Sequence, residues 1–113
     1  MRLPRWFLPA ALLAAAPASA QEIRALDLFV RPDKGHCIAC HQLPPGIGPE
    51  TRADVGPRLE GARMRELGRA AVREILVDAT KRNPDTVMPP YGRHRILAAP
   101  EIERLAEFLD ALP

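Results

Sequence analysis

The sequence predicts a single all-α domain with long ordered loops. Three segments, residues 22–30, 69–80 and 100–112, place apolar side chains at helical spacing, and no segment has the alternation of apolar and polar residues that is typical of a strand. Residues 43–61 and 84–95 are rich in proline, which disfavours regular helices and central strands. The loops are long for a small domain, so we expect them to wrap around something.

Each predicted helix has one apolar stripe and a recognisable boundary. The first ends at Arg31-Pro32-Asp33-Lys34-Gly35, the second is closed by Asn83-Pro84, and the third opens with Pro100 and Glu101. The stripes consist of Ile23, Leu26 and Val30 in the first segment, Ala71, Val72, Ile75, Leu76 and Ala79 in the second, and Ile102, Leu105, Ala106, Leu109 and Leu112 in the third.

The first twenty residues have the three parts of a secretory signal. Arg2 and Arg5 are followed by an apolar stretch over residues 7–16 and by a small-residue cleavage site at residues 18–20. The apolar stretch is shorter than the roughly 20 residues that cross a bilayer. We therefore expect export to the periplasm and removal of residues 1–20, which leaves one domain, residues 21–113, with no membrane span.

The charge balance does not favour a nucleic-acid partner. The chain has 16 Lys and Arg against 14 Asp and Glu, and removal of Arg2 and Arg5 leaves equal numbers. No run of basic residues without acids occurs. Neither nucleic acid nor an anionic membrane surface is therefore expected as a partner.

Residues 37–41, Cys-Ile-Ala-Cys-His, form the attachment motif of a c-type haem. Two thiols at this spacing can reach the two vinyl groups on one porphyrin edge, and the adjacent imidazole can bind the iron. A thioredoxin-like redox pair would need a βαβ surrounding, and a zinc site would need two further ligands at suitable spacing. The sequence has neither, so we expect one covalent haem c attached through Cys37 and Cys40, with His41 as an axial ligand.

Met88 is the expected ligand on the other face of the iron. It lies in Val87-Met88-Pro89-Pro90, where the prolines can hold a thioether at low entropic cost. Met64 is more simply explained as a core residue, and His36 adjoins the attachment cysteines too closely to reach the opposite face. His94 and an open position remain as alternatives.

Pro57 and Arg93 are expected to support the cofactor. A ligating histidine usually donates its second ring N–H to a carbonyl or carboxylate, and the stretch from Gly56 to Gly61 resembles the one that supplies this acceptor, here the Pro57 carbonyl, in class I cytochromes c. Arg93, like Arg95, follows the ligand loop and could pair with a haem propionate. A plain turn and solvated arginines are the alternatives.

Three segments of the chain resemble the SoxX family, the small cytochrome subunit of the sulfur-oxidation complex SoxAX. They are KGHCIACHQLP at residues 34–44, RNPDTVMPPYGRHRIL at residues 82–97 and EIERLAEFLDAL at residues 101–112. The middle segment carries the resemblance, because the haem motif alone occurs in any c-type cytochrome. His36 and the loop over residues 44–53 depart from the family pattern.

The resemblance implies a class I cytochrome c fold in which the first and last helices cross. It also implies an electron-transfer subunit, without catalytic residues of its own, of an L-cysteine S-thiosulfotransferase that oxidises thiosulfate. The implied partners are a larger cytochrome subunit resembling SoxA, a sulfur carrier protein and a soluble acceptor cytochrome c. A free-standing electron shuttle and a thiol-disulfide protein are the competing functions.

Overall fold

The computed structural model describes Met1 and residues 23–113. Within these residues it has four α-helices, α1 (Ala25–Val30), α2 (Gly61–Leu67), α3 (Arg69–Asp78) and α4 (Ala99–Asp110), and no strand. Short 3-10 turns lie at Cys37–Ala39 and Ala79–Lys81. The predicted all-α class is confirmed for this part of the chain. Apart from Met1, the expected signal segment lies outside the described residues.

Helix α4 is the centre of the packing, since it contacts α1, α2 and α3. Its inward face presents Leu105, which is completely buried, and Phe29 of α1 packs against Phe108 with ring centroids 6.3 Å apart. Burial of each such side chain contributes about 1.5–3 kcal/mol. The first and last helices are thus held together by an apolar contact between residues outside the predicted stripes, and the buried residues of α1 are Leu28 and Phe29 rather than Leu26 and Val30.

The start of α4 is fixed by a buried acid. Glu101 accepts a hydrogen bond from the backbone N–H of Ala98 at 2.9 Å and forms an ion pair with Lys34 Nζ at 2.9 Å. The side chain of Glu101 is 11% exposed. This contact joins the first turn of α4 to the segment that precedes the haem motif.

Helix α2 was not predicted, and its stability comes from contacts distant in sequence. It has seven residues, of which only Gly61 and Met64 are buried. Arg65 Nη1 donates to the carbonyl oxygens of Asp110 and Leu112 at 3.0 and 2.8 Å, and the Gly61 N–H donates to Pro113 at 3.0 Å. Such a short helix is marginal in isolation, so periodicity alone is a weak signal for it.

The start of the first helix differs from the predicted one, whereas α3 begins at Arg69 as predicted. Arg24 is extended, with φ −64° and ψ 149°, so the first helix begins at Ala25 rather than residue 22. Gly68, with φ 85°, separates α2 from α3 by a backbone angle that suits glycine. Among the described residues no helix is both long and apolar enough to cross a membrane.

Candidate functional site

The attachment segment is a tight turn. His36 has left-handed angles, φ 47° and ψ 37°, and the N–H groups of Cys40 and His41 both donate to the Cys37 carbonyl, at 3.1 and 2.9 Å. Neither cysteine forms a disulfide. Burial raises the pKa of the Cys37 thiol to about 12, whereas reactive redox cysteines have a lowered thiol pKa. This environment does not favour a thiol-disulfide function.

One ring nitrogen of His41 has a hydrogen-bond partner in the protein. Its Nδ1 lies 2.7 Å from the carbonyl oxygen of Pro57. A carbonyl can only accept, so Nδ1 carries a proton and donates, and in the neutral ring the lone pair is on Nε2. A neutral imidazole in this tautomer is ready to bind a metal through Nε2.

The loop that carries Pro57 is hydrogen-bonded to the residues next to His41. The Gly56 N–H donates to Cys40 at 2.8 Å, and the Leu59 N–H donates to Gln42 at 2.9 Å. A Cβ atom on Gly56 would lie 2.7 Å from His41 Nδ1 and 2.8 Å from Nε2. Gly56 is therefore required for the His41 ring to lie flat against the loop.

Two cavities meet at the predicted ligands. The inner cavity, of about 170 Å³, is lined by Phe29, Cys37, His41, Pro57, Leu59, Arg63, Met64, Leu67, Val72, Ile75, Leu76, Met88, Leu105 and Leu109. The outer cavity, of about 390 Å³, is lined by His36, Cys37, Cys40, His41, Val55, Gly56, Pro57, Asn83, Asp85, Thr86, Val87, Met88, Pro89 and Tyr91. Cys37, His41, Pro57 and Met88 line both cavities.

Met88 is held by short turns within its own loop. The Asp85 N–H donates to the Asn83 side chain at 3.1 Å, and the Met88 N–H donates to the Thr86 hydroxyl at 3.1 Å. Met88 is partly buried and packs against the core. The turns and the following prolines together place its side chain at both cavities.

The alternative ligands are placed differently. Met64 is buried on α2 and lines only the inner cavity, where it also belongs to the core. His36 is exposed at the outer cavity, and His94 is exposed and lines neither cavity. Of these residues, Met88 alone lines both cavities together with His41.

Arg93 pairs with a protein carboxylate in this structure. Its Nη1 lies 3.1 Å from Asp78 Oδ2, and it lines neither cavity. The pairing of Arg93 with a propionate stays a prediction. The charged side chain that does line the inner cavity is Arg63, on the unpredicted helix α2.

Sequence reasoning also missed Tyr91. Its hydroxyl donates to the Gly35 carbonyl at 2.6 Å, which joins the Met88 loop to the attachment segment. Burial raises the pKa of Tyr91 to about 12. The only sequence signal was indirect, since Tyr91 is one of three aromatic residues that follow the predicted signal segment.

Comparison with known proteins is informative at the level of structure. No protein-family model matches the chain, and no curated protein matches it significantly in sequence. The structure is similar to a chain of SoxXA from P. pantotrophus, with a TM-score of 0.65, 25% sequence identity and coverage of 77% of each chain. The chain has the fold of a SoxXA chain. The SoxX-like cytochrome fold expected from the three sequence segments is therefore supported by the SoxXA likeness.

The residues of the SoxXA-like fold described here fit a c-type haem. The imidazole of His41 and the thioether of Met88 are a known axial pair for haem iron, and both line the same two cavities. The inner cavity has an almost wholly apolar lining, which suits a porphyrin ring. The described residues contain no cluster of three or more His, Cys, Asp and Glu side chains that could bind a metal ion directly.

Proposed function

We propose that this chain is the electron-transfer subunit of a periplasmic SoxAX-type complex that oxidises thiosulfate. The observation that carries the proposal is the convergence of Cys37, His41 and Met88 on both cavities, in a fold similar to a SoxXA chain. The middle sequence segment, residues 82–97, supports SoxX rather than c-type cytochromes in general.

Four side chains hold the cofactor in this proposal. Cys37 and Cys40 attach it covalently, His41 binds the iron through Nε2, and Met88 binds it through sulfur. A haem c bound here supplies an iron that gains and loses one electron at a time. Pro57 orients the His41 ring through its carbonyl oxygen, at 2.7 Å from Nδ1.

The same arrangement disfavours substrate chemistry on this chain. His41 and Met88 would hold the iron between them and leave no position for a substrate, which would favour electron transfer. Attachment uses both cysteines, and the sequence has no third cysteine that could act as a nucleophile. The sulfur–sulfur bond must therefore form on a partner.

The proposed partners divide the reaction. Joining thiosulfate to the thiol of a carrier-protein cysteine forms one sulfur–sulfur bond and releases one proton and two electrons. A larger subunit resembling SoxA would perform this step, and this chain would take the electrons one at a time and pass them to a soluble acceptor cytochrome c. The complex as a whole would be an L-cysteine S-thiosulfotransferase.

Reconstitution tests the proposal. The haem-loaded chain and a SoxA-like candidate are assayed separately and together for carrier modification by mass and for reduction of an acceptor cytochrome. We expect a stable pair and carrier modification only with the SoxA-like subunit present. Modification by this chain alone would contradict the division of labour, and failure of the two chains to associate would favour a free-standing electron shuttle.

A further inference from the structure

The Met88 loop is fastened to the end of helix α3 at one place. Arg93 Nη1 lies 3.1 Å from Asp78 Oδ2, and the N–H groups of Gly92 and Arg93 both donate to the Val77 carbonyl, at 3.1 and 3.0 Å. The two backbones approach so closely here that a Cβ atom on Gly92 would lie 2.9 Å from Val77 Cα. The fastening joins residues that are 15 positions apart in sequence, Asp78 and Arg93.

Asp78 is the last residue of α3 and caps the 3-10 turn at Ala79–Lys81. Its side chain is only 3% exposed and lies at the C-terminal end of α3, where the helix dipole disfavours negative charge. Oδ1 accepts from the Thr80 N–H at 3.1 Å and from the Thr80 hydroxyl at 2.5 Å. The partner of Oδ2 is the guanidinium of Arg93.

The hydrogen bonds of Asp78 keep it ionised. The Thr80 hydroxyl contributes most, and together with the Thr80 N–H and the charge of Arg93 it holds the pKa of Asp78 below the ordinary value in spite of burial. The Arg93 side chain is 54% exposed, so its removal would leave Oδ2 of the buried carboxylate without its guanidinium partner at a moderate cost in free energy. The ion pair therefore links the stability of the C-terminal end of α3 to the position of the Met88 loop.

We infer that Asp78 and Arg93 are positioning residues for Met88, and that Arg93 acts through Asp78 rather than on a haem propionate. The inference rests on the proposed role of Met88 as an iron ligand. Arg93 follows Met88 by five residues, and the Tyr91 hydroxyl bond to Gly35 anchors the loop between them. The segment from Met88 to Arg93 is thus held at the attachment segment by Tyr91 and at α3 by Arg93.

Loss of the fastening at α3 should favour local opening of the loop. A loop held by fewer buried contacts opens at a smaller free energy than the whole domain unfolds. Opening removes the Met88 sulfur from the iron, whereas the covalent attachment through the cysteines is unaffected. The expected signature is selective loss of the sulfur-to-iron charge-transfer band of the oxidised holoprotein.

The test uses the haem-loaded chain with Asp78→Asn, Arg93→Gln and the double variant. Urea titrations, which add no salt that would screen the ion pair, follow the charge-transfer band and the helical circular dichroism in parallel. At a fixed denaturant concentration below global unfolding, each single variant should raise the fraction of band-less protein roughly tenfold. The double variant should add little to either single variant, since both remove the same contact.

A matched ion pair provides the control. Arg82 Nη2 lies 3.3 Å from Glu74 Oε2 on the exposed side of the same helix end, and Arg82→Gln makes the same change of charge. It should leave the band titration unchanged. Arg93→Lys, which keeps the charge, should restore part of the resistance that Arg93→Gln loses.

The outcomes separate this inference from the proposed function. If the unmodified holoprotein has no charge-transfer band, Met88 is not the ligand and the proposed site is wrong. A second outcome has the band present but overturns the inference. In it, the band of Asp78→Asn is lost at the same denaturant concentration as in the unmodified protein, while Arg93→Gln shifts the pH dependence of the reduction potential. Arg93 then acts on a propionate. If Asp78→Asn does not accumulate as folded protein, Thr80→Val replaces it in the comparison with Arg93→Gln. Thr80→Val removes a hydrogen bond to the same carboxylate.

Discussion

Nδ1 of His41 donates to the carbonyl oxygen of Pro57 at 2.7 Å, across 16 positions of sequence. This bond fixes the tautomer of the ring, because the carbonyl offers no proton and the ring must supply it. It also fixes the direction of Nε2 relative to the turn at Cys37–Ala39. The geometry of one loop therefore orients the proposed ligand nitrogen.

Covalent attachment is the first prediction. After export with the haem-attachment machinery, denatured protein should keep the haem mass and its colour through acid-acetone extraction, because thioether bonds survive unfolding. His41→Ala should abolish the native spectrum, whereas His36→Ala and His94→Ala should preserve it, since only His41 donates to the Pro57 loop. Extractable haem, or equal damage from all three changes, would contradict the assignment.

Met88 ligation is the second prediction. Met88→Ala should remove the sulfur-to-iron charge-transfer band and lower the reduction potential by on the order of 100 mV, because a thioether ligand favours ferrous iron. Absorption spectroscopy and potentiometric titration measure both effects.

Met64→Ala serves as the control for Met88→Ala. Met64 is 5% exposed in the core, so its truncation should cost about 2–5 kcal/mol of unfolding free energy and leave the band in place. Survival of the band without Met88 would show that another group binds the iron.

The third prediction concerns the effect of Gly56→Ala on the haem spectrum and on stability. The new methyl group would lie 2.7 Å from His41 Nδ1 and would push the ring away from the Pro57 carbonyl. We expect an altered oxidised spectrum and a loss of about 1–3 kcal/mol in unfolding free energy of the holoprotein. Magnetic circular dichroism of the haem bands measures the change in ligation.

Gly61→Ala is the matched control for Gly56→Ala. Its methyl group would collide with the Leu112 carbonyl, and neither residue lines the two cavities. Because the colliding atoms belong to the backbone, Gly61→Ala should reduce stability at least as much as Gly56→Ala while the haem spectrum stays unchanged. A spectrum that changes equally in both variants would mean that Gly56 has no special relation to His41.

The acid sensitivity of α4 is the fourth prediction. Burial alone would raise the pKa of Glu101, but the hydrogen bond from the Ala98 N–H and the ammonium of Lys34 outweigh it, and the pKa lies below its ordinary value of 4.5. The carboxylate therefore contributes stability that is present above pH 4.5 and is lost as the pH falls through the lower folded-state pKa.

Glu101→Gln should flatten this acid limb of the stability profile. Glutamine keeps an oxygen for the Ala98 N–H but loses the attraction to Lys34, and Glu101→Ala should cost about 1–2 kcal/mol near neutral pH. Urea unfolding from pH 7 to pH 3 measures the profile. Glu107→Gln, on the exposed face of α4, is the control, and a variant profile parallel to that of the unmodified protein would count against the assigned role of Glu101.

The long helices and the attachment turn could be predicted because their signals are local. The apolar stripe of α4 repeats within twelve residues, and the spacing of Cys37, Cys40 and His41 is set by four consecutive peptide units. Proline likewise predicts the loops, since its ring disfavours a helix at every position beyond the first turn. The availability of the Pro57 carbonyl also followed from the loop sequence, and the structure shows the bond that it accepts.

Other features were decided only by the tertiary structure, because their partners are distant in sequence. Helix α2 depends on the chain end that Arg65 binds, 45 and 47 positions away, so its seven residues carry too weak a local signal. Arg93 follows the ligand loop and looks free to meet a propionate, yet the fold brings the buried carboxylate of Asp78 within 3.1 Å of it. The sequence by itself determined which residues can form bonds to a haem, since that chemistry belongs to side-chain type and short spacing. Only the folded chain decided which charges and backbone groups surround those residues, because burial and long-range contact set their energies.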